Sequence, residues 1–208
     1  MDGGVVQDVP VGFVSSASGL AAIHESGCGA AIWHRCLDEG FQSWIDACPP
    51  EQLPRTRQSL RPDGVRAEMV RLLDACGWAE CAARETLADD VAKMATVFAG
   101  IMSSPYVRLR LDAISTNACR KFHVDAVKAR LICTYRGRGT QYGVSTDGKE
   151  PHVVSDVPTG APMILRGTLW PGAASRVLHR SPPIEGTGET RLVLVLDPVA
   201  DLEADDGL

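Results

Sequence analysis

No apolar run in this 208-residue sequence approaches the roughly 20 residues that a membrane-spanning helix requires, so no membrane segment is expected. The opening MDGGVVQDVP lacks the basic start and apolar stretch of a secretory signal, and a cytoplasmic protein is the expectation. Basic excess is missing too. The formal net charge is −5 and the isoelectric point is near 5.5, which argues against a nucleic-acid-binding surface, since those show a basic stripe. No CxxC pair occurs, which removes the usual zinc-ribbon and thioredoxin signals, and the seven cysteines are irregularly spaced and odd in number. In a reducing compartment they read as free thiols. There is no internal repeat, no low-complexity block, and no heptad or edge-strand signal that would reveal an oligomeric state.

What is present is ordinary globular hydrophobicity, 45% of residues, arranged with two different periods. Residues 1 to about 20 read as a loose lead-in. Ala30 to His34 reads as a buried strand and Leu37 to Ala47 as a short helix stopped by Pro49-Pro50. Glu51 to Gly64, polar and proline-rich, reads as a connection. Val65, Met69, Leu72, Leu73 and Cys76 recur at helical spacing up to Gly77, and Leu87, Val91, Met94, Ala95 and Phe98 do the same up to about Gly100. After Pro105 the period falls to two. Val107 to Ala113, Ala129 to Tyr135, Met163 to Leu169, Arg176 to His179 and Arg191 to Asp197 read as strands, with a glycine loop across Gly137, Gly139 and Gly143. The expected organisation is one compact α+β unit: a mainly helical part over 1–104, a β core over 105–200, and an acidic, mobile tail over 201–208.

The chemistry-bearing residues fall in the β half. In His123-Val124-Asp125 the imidazole and carboxylate share one face of an extended segment, because side chains alternate. His179 follows 54 positions after Asp125. Two imidazoles and one carboxylate can occupy one face of an octahedral ion and leave the opposite face open, the arrangement of non-haem Fe(II) oxygenases. Arg191 lies 12 positions beyond His179, at the start of the last apolar strand. Through the turn SPPIEGTGET an antiparallel partner returns it beside the metal strand, where a guanidinium can grip the far carboxylate of 2-oxoglutarate in a fork of two hydrogen bonds.

Tyr106 to Tyr142, with NACRKFHVD and CTYRGRGTQ, and Val177 to Asp197, with HRSPP, resemble the signature blocks of the bacterial family called domain of unknown function 1826. The likeness extends more thinly to AAIWHR near residue 30. The order HxD, His, Arg also resembles the wider Fe(II)- and 2-oxoglutarate-dependent oxygenases. That likeness implies a C-terminal double-stranded β-helix, a cupin-like jelly roll, with the helical half packed on it. It implies Fe(II) at His123, Asp125 and His179, the cosubstrate carboxylate at Arg191, and a cosubstrate hydrogen bond from Tyr135. Asn117, Arg130 and Arg180 are candidates for supporting or pocket roles. The short interval between Asp125 and His179 leaves little chain for a long lid and implies an open site.

Plainer accounts stand beside these. Either histidine alone reads as a satisfied core or surface residue, Arg191 could simply pair with Asp197, and Tyr135 could be a packed strand aromatic. Cys28, His34, Cys36 and Cys48 have zinc-ligand chemistry but match no zinc module. His152 reads as exposed, and the arginines of the YRGRG turn as solvated. The leading expectation is an Fe(II)/2-oxoglutarate-dependent oxygenase whose small-molecule or peptide substrate the residues do not name. The alternative is a cupin-like protein that senses or handles a divalent ion such as zinc without turnover, since imidazole suits several metals.

Overall fold

A computed structural model describes residues 10–203. The lead-in residues 1–9 and the acidic end at 204–208 lie outside the described residues. Among the described residues ten strands form two sheets, and three α-helices accompany them. The strands are β1 (Val11–Val14), β2 (Ala30–Trp33), β3 (Thr56–Leu60), β4 (Tyr106–Ile114), β5 (Ala129–Arg136), β6 (Gln141–Val144), β7 (Ser155–Asp156), β8 (Met163–Arg166), β9 (Val177–Arg180) and β10 (Arg191–Val199). The helices are α1 (Glu39–Ala47), α2 (Val65–Ala75) and α3 (Ala82–Met102). Among the described residues no helix is long and apolar enough to cross a membrane.

Each helix follows from local chemistry. Asp38 caps α1 by accepting from the Phe41 N–H at 3.0 Å, and Phe41 and Ile45, one turn apart, are its buried pair. α2 buries Val65, Met69, Leu72 and Leu73 on one stripe. It ends where Gly77 takes a φ of +75°, so that the Gly77 N–H reaches the Asp74 carbonyl and the Trp78 N–H the Leu73 carbonyl. α3 runs two residues beyond Gly100, and Ser103, not a glycine, takes the left-handed position (φ 51°) that closes it.

The main sheet has the order β1-β2-β8-β5-β10-β4-β3, antiparallel except for the β1–β2 pair. The small sheet has the order β7-β6-β9. Period two sorts the long strands cleanly. Val107, Leu109 and Leu111 of β4, Leu131 and Cys133 of β5, and Leu192, Leu194 and Leu196 of β10 join the helices in the larger core. Ile132, Val193 and Val195 face the other way and pack with Tyr142 of β6 and Val177 of β9 in a second core. The result is three layers: helices, main sheet, small sheet.

This α+β arrangement departs from the sequence expectation in its details. Within the first 104 residues the expected strand near Ala30 is present as β2, and β1 and β3 join it, so that all three extend the main sheet. β3 lies in the stretch read as a connection, β1 in the stretch read as lead-in, and β6 in the stretch read as a glycine loop. The two sheets face each other, and the main one is completed from the N-terminal half.

A buried polar network ties the layers together. Both terminal nitrogens of Arg35 donate to the two oxygens of Asp90 on α3 at 2.6 Å, and Arg35 Nε donates to the Gly160 carbonyl at 2.7 Å. The Tyr135 hydroxyl donates to Asp90 Oδ2 at 2.7 Å. Losing one partner of such a pair would leave a buried charge alone, at a cost of about 3–5 kcal/mol.

Candidate metal centre

His179 sits on β9, and His123 lies opposite it just outside the named strands. Their backbones form an antiparallel bridge in which each N–H donates to the other's carbonyl at 3.0 Å. That bridge places the two imidazoles side by side, with ring centroids 4.5 Å apart. Asp125 follows two residues after His123, on the same side of the extended segment. Its stretch is laced to the segment after β8: the Thr168 N–H donates to the Asp125 carbonyl at 2.8 Å and the Gly167 N–H to the Lys128 carbonyl at 3.0 Å. A Cβ on Gly167 would fall 1.9 Å from the Val127 carbonyl oxygen, so only glycine permits this approach.

The three side chains converge, each offering one atom within 4.8 Å of the others. Asp125 Oδ1 lies 3.5 Å from His123 Nε2, and Oδ2 lies 3.0 Å from His179 Nε2. His123 Nδ1 is engaged by the Lys121 carbonyl at 2.8 Å. That bond calls for a proton on Nδ1 and leaves Nε2 as the nitrogen that could ligate. Asp125 Oδ2 is buried yet has no aligned hydrogen-bond partner among the described residues. Burial pushes the Asp125 carboxyl up, but His123, His179 and Arg130 outweigh it and hold the group well below the usual carboxylate range. The same carboxylate raises His123 above its ordinary value, against burial. A strongly acidic carboxyl with an orphaned oxygen, facing two imidazoles, fits a divalent cation of the kind bound by nitrogen and oxygen ligands.

The trio opens into a cavity of about 250 Å³ whose walls include Ile114, Ile132, Thr140, Val193, Val195 and Arg191. Arg191 is 1% exposed. Its Nε donates to the Arg138 carbonyl at 2.6 Å and one terminal nitrogen to Thr134 Oγ1 at 3.2 Å. Among the described residues no carboxylate lies within ion-pair distance of it, so it does not pair with Asp197. Burial pulls its pKa down to about 10. A buried guanidinium held by neutral groups and facing a cavity has the chemistry to receive an anion.

Not every candidate joins the trio. Tyr135 lies on the helix side of the main sheet, where its hydroxyl is taken by Asp90, and burial pushes its pKa well above normal. It does not line the cavity. Asn117 braces the turn before β10 by accepting from the Ile184 and Glu185 N–H groups at 2.9 and 3.0 Å. Arg180 lines the cavity, donates to Gln141 Oε1 at 2.8 Å and lies 4.4 Å over the Phe122 ring. Arg130 bridges Asp125 and Asp197. The two arginines of the YRGRG turn are not simply solvated, since Arg136 donates to the Cys48 carbonyl and Arg138 pairs with Glu189. Among the described residues no other group of three ligand-type side chains converges, so Cys28, His34, Cys36 and Cys48 form no metal cluster. Two neighbours of the site take places that the sequence does not indicate: Asp197 pairs with Arg130, and Thr134 accepts from Arg191.

Solved structures share this fold. A dioxygenase for auxin oxidation from rice is 13% identical, with 94% of this chain and 84% of that chain covered at a TM-score of 0.53. The corresponding enzyme of Arabidopsis thaliana, in its binary complex with 2-oxoglutarate, is 9% identical, with 94% of each chain covered at a TM-score of 0.51. At such identities the likeness establishes the fold. No curated protein shows significant sequence similarity. The model of the family described as "Protein of unknown function (DUF1826)" matches residues 15–197, and this chain belongs to that family.

Proposed function

We propose that this chain is an Fe(II)- and 2-oxoglutarate-dependent oxygenase on a double-stranded β-helix framework, with His123, Asp125 and His179 as metal ligands and Arg191 as the anchor of the cosubstrate's far carboxylate. One observation carries the reading: a two-histidine, one-carboxylate trio and a buried arginine without an acidic partner line the same cavity. Either feature alone would suit many proteins. Together they match a ligand that chelates a metal with one end and presents a carboxylate at the other. The apolar walls at Ile132, Val193 and Val195 suit the methylenes between.

Fe(II) with 2-oxoglutarate and O₂ supplies oxidative decarboxylation to succinate and CO₂, with one oxygen atom transferred to the substrate. The protein's own residues do the rest. His123 and His179 would each offer an imidazole nitrogen, and Asp125 a carboxylate oxygen. Arg191, held in place by the Thr134 hydroxyl and the Arg138 carbonyl, grips the distal anion. The valine and isoleucine walls keep water from the bound cosubstrate. The structural relatives named as auxin dioxygenases give no warrant for auxin as the substrate here.

The test is succinate formation followed by proton NMR in aerobic samples holding protein, Fe(II), 2-oxoglutarate and ascorbate. Succinate above the free-iron background, lost in Asp125→Ala, is the expected result. A rate equal to the background with every substrate class supplied would favour a metal-handling protein without turnover.

A further inference from the structure

Arg130 uses its guanidinium in an unusual way beside the candidate metal centre. Its Nε and Nη2 donate to the two oxygens of Asp197 on β10 at 2.7 Å each, and its Nη1 donates to Asp125 Oδ1 at 2.5 Å. All three groups are largely buried, with side-chain exposures of 15% for Arg130, 12% for Asp125 and 7% for Asp197. The fork to Asp197 fixes the guanidinium plane across two neighbouring strands, and the remaining nitrogen then points in one direction only. Asp125 therefore has one oxygen committed to Arg130 and one, Oδ2, without an aligned partner.

We propose that Arg130, anchored by Asp197, is a positioning residue that holds Asp125 by Oδ1 and so assigns Oδ2 as the oxygen offered to a metal. The proposal rests on the metal-site reading above and adds a division of labour to it. Charge explains why two residues are needed. Arg130 alone would cancel the Asp125 charge that a cation needs. With Asp197 in its fork, the Arg130–Asp197 pair is neutral, and Asp125 keeps its full charge while still being oriented. A lysine would preserve the charge but could not span both carboxylates as a planar fork.

Co(II) is the probe, added to the full chain, with affinity read by competition against a chromophoric chelator and the bound ion read by its visible spectrum. Three variants divide the question. Arg130→Met combined with Asp197→Leu removes the pair as a unit, so that neither Arg130 nor Asp197 is left as a lone buried charge, a change that folded proteins often tolerate. Asp197→Asn keeps the Arg130 contact to Asp125 but leaves its charge uncompensated. Arg130→Lys keeps the charge without the fork. Loss of an outer partner of a metal ligand costs about 10–100-fold in affinity, and that loss is expected for the double variant, with a changed Co(II) spectrum and a retained circular dichroism signal. Arg130→Lys should restore only part of the affinity, and Asp197→Asn should also bind more weakly than wild type. If the folded double variant binds Co(II) within about threefold of wild type, with the same spectrum, the positioning role is wrong. Should the double variant not fold, Asp197→Asn decides alone: affinity equal to wild type overturns the proposal. Wild-type protein that binds no Co(II) would instead overturn the metal reading beneath it.

Discussion

His179→Ala is expected to lose more than about 100-fold in Fe(II) or Co(II) affinity, because a direct ligand should cost more than an outer partner, whose loss costs about 10–100-fold. His179 is 5% exposed and faces the Asp125 carboxylate, so its loss removes a nitrogen held in a fixed place. The fold should survive. The bridge to His123 is made by backbone groups at 3.0 Å, and alanine keeps both of them. Chelator competition on folded protein measures the effect. Wild-type affinity in this variant would remove His179 from the ligand set and with it the proposed trio.

The second large effect is at the other end of the cavity. Arg191→Met should weaken 2-oxoglutarate binding by about 30-fold or more and leave metal affinity unchanged. Removing one partner of a buried, hydrogen-bonded charge pair costs about 2–5 kcal/mol, and every 1.4 kcal/mol is a factor of ten. The variant also leaves the Arg138 carbonyl and Thr134 hydroxyl without their donor, so some loss of stability accompanies it. Arg191→Lys separates the two effects. It keeps a cation in the cavity but loses the fork, so a weakened but measurable response is expected. Anaerobic calorimetric titration of the metal-loaded variants with 2-oxoglutarate gives the affinities. Unchanged cosubstrate affinity in Arg191→Met would end the anchoring role of this residue.

The trio was legible in the sequence because its logic is local. In His123-Val124-Asp125 the period of two alone puts both groups on one side. His179 could be added because it lies on a short strand that the residue pattern marks, and its bridge to His123 then follows from pairing. Arg191 was legible as the first residue of a strand whose odd positions, Val193, Val195 and Asp197, share its face. What single-strand patterns do not carry is register. The partner of Asp197 could not be read without knowing that β5 runs beside β10, which places Arg130 there and not Arg191.

The side of the sheet that Tyr135 takes is written in the parity of β5. Leu131, Cys133 and Tyr135 have the same parity in β5, opposite to Arg130 and Ile132. Alternation therefore points Tyr135 to the helices once Ile132 is assigned to the cavity side. The irregularity in pairing between Leu192–Val193 and Arg136–Thr134 falls at Tyr135 and turns Arg136 to the helix side as well, where it reaches the Cys48 carbonyl. β3 escaped for a different reason. As the last strand of the main sheet, TRQSL contacts a neighbour on one side only, and its polar composition carries no buried alternation. Edge strands are managed by such residues. The Arg35–Asp90 pair is 55 positions apart in sequence and joins elements whose contact only the tertiary fold creates.

The most direct test of the central claim is an anaerobic titration of metal-free protein with Fe(II) and then 2-oxoglutarate, followed by visible absorption. A charge-transfer band that needs both additions, saturates at one equivalent and is absent in His179→Ala is the expected result. Tight Fe(II) binding with no band on addition of 2-oxoglutarate would contradict the account and point to a metal-binding protein that does not use this cosubstrate.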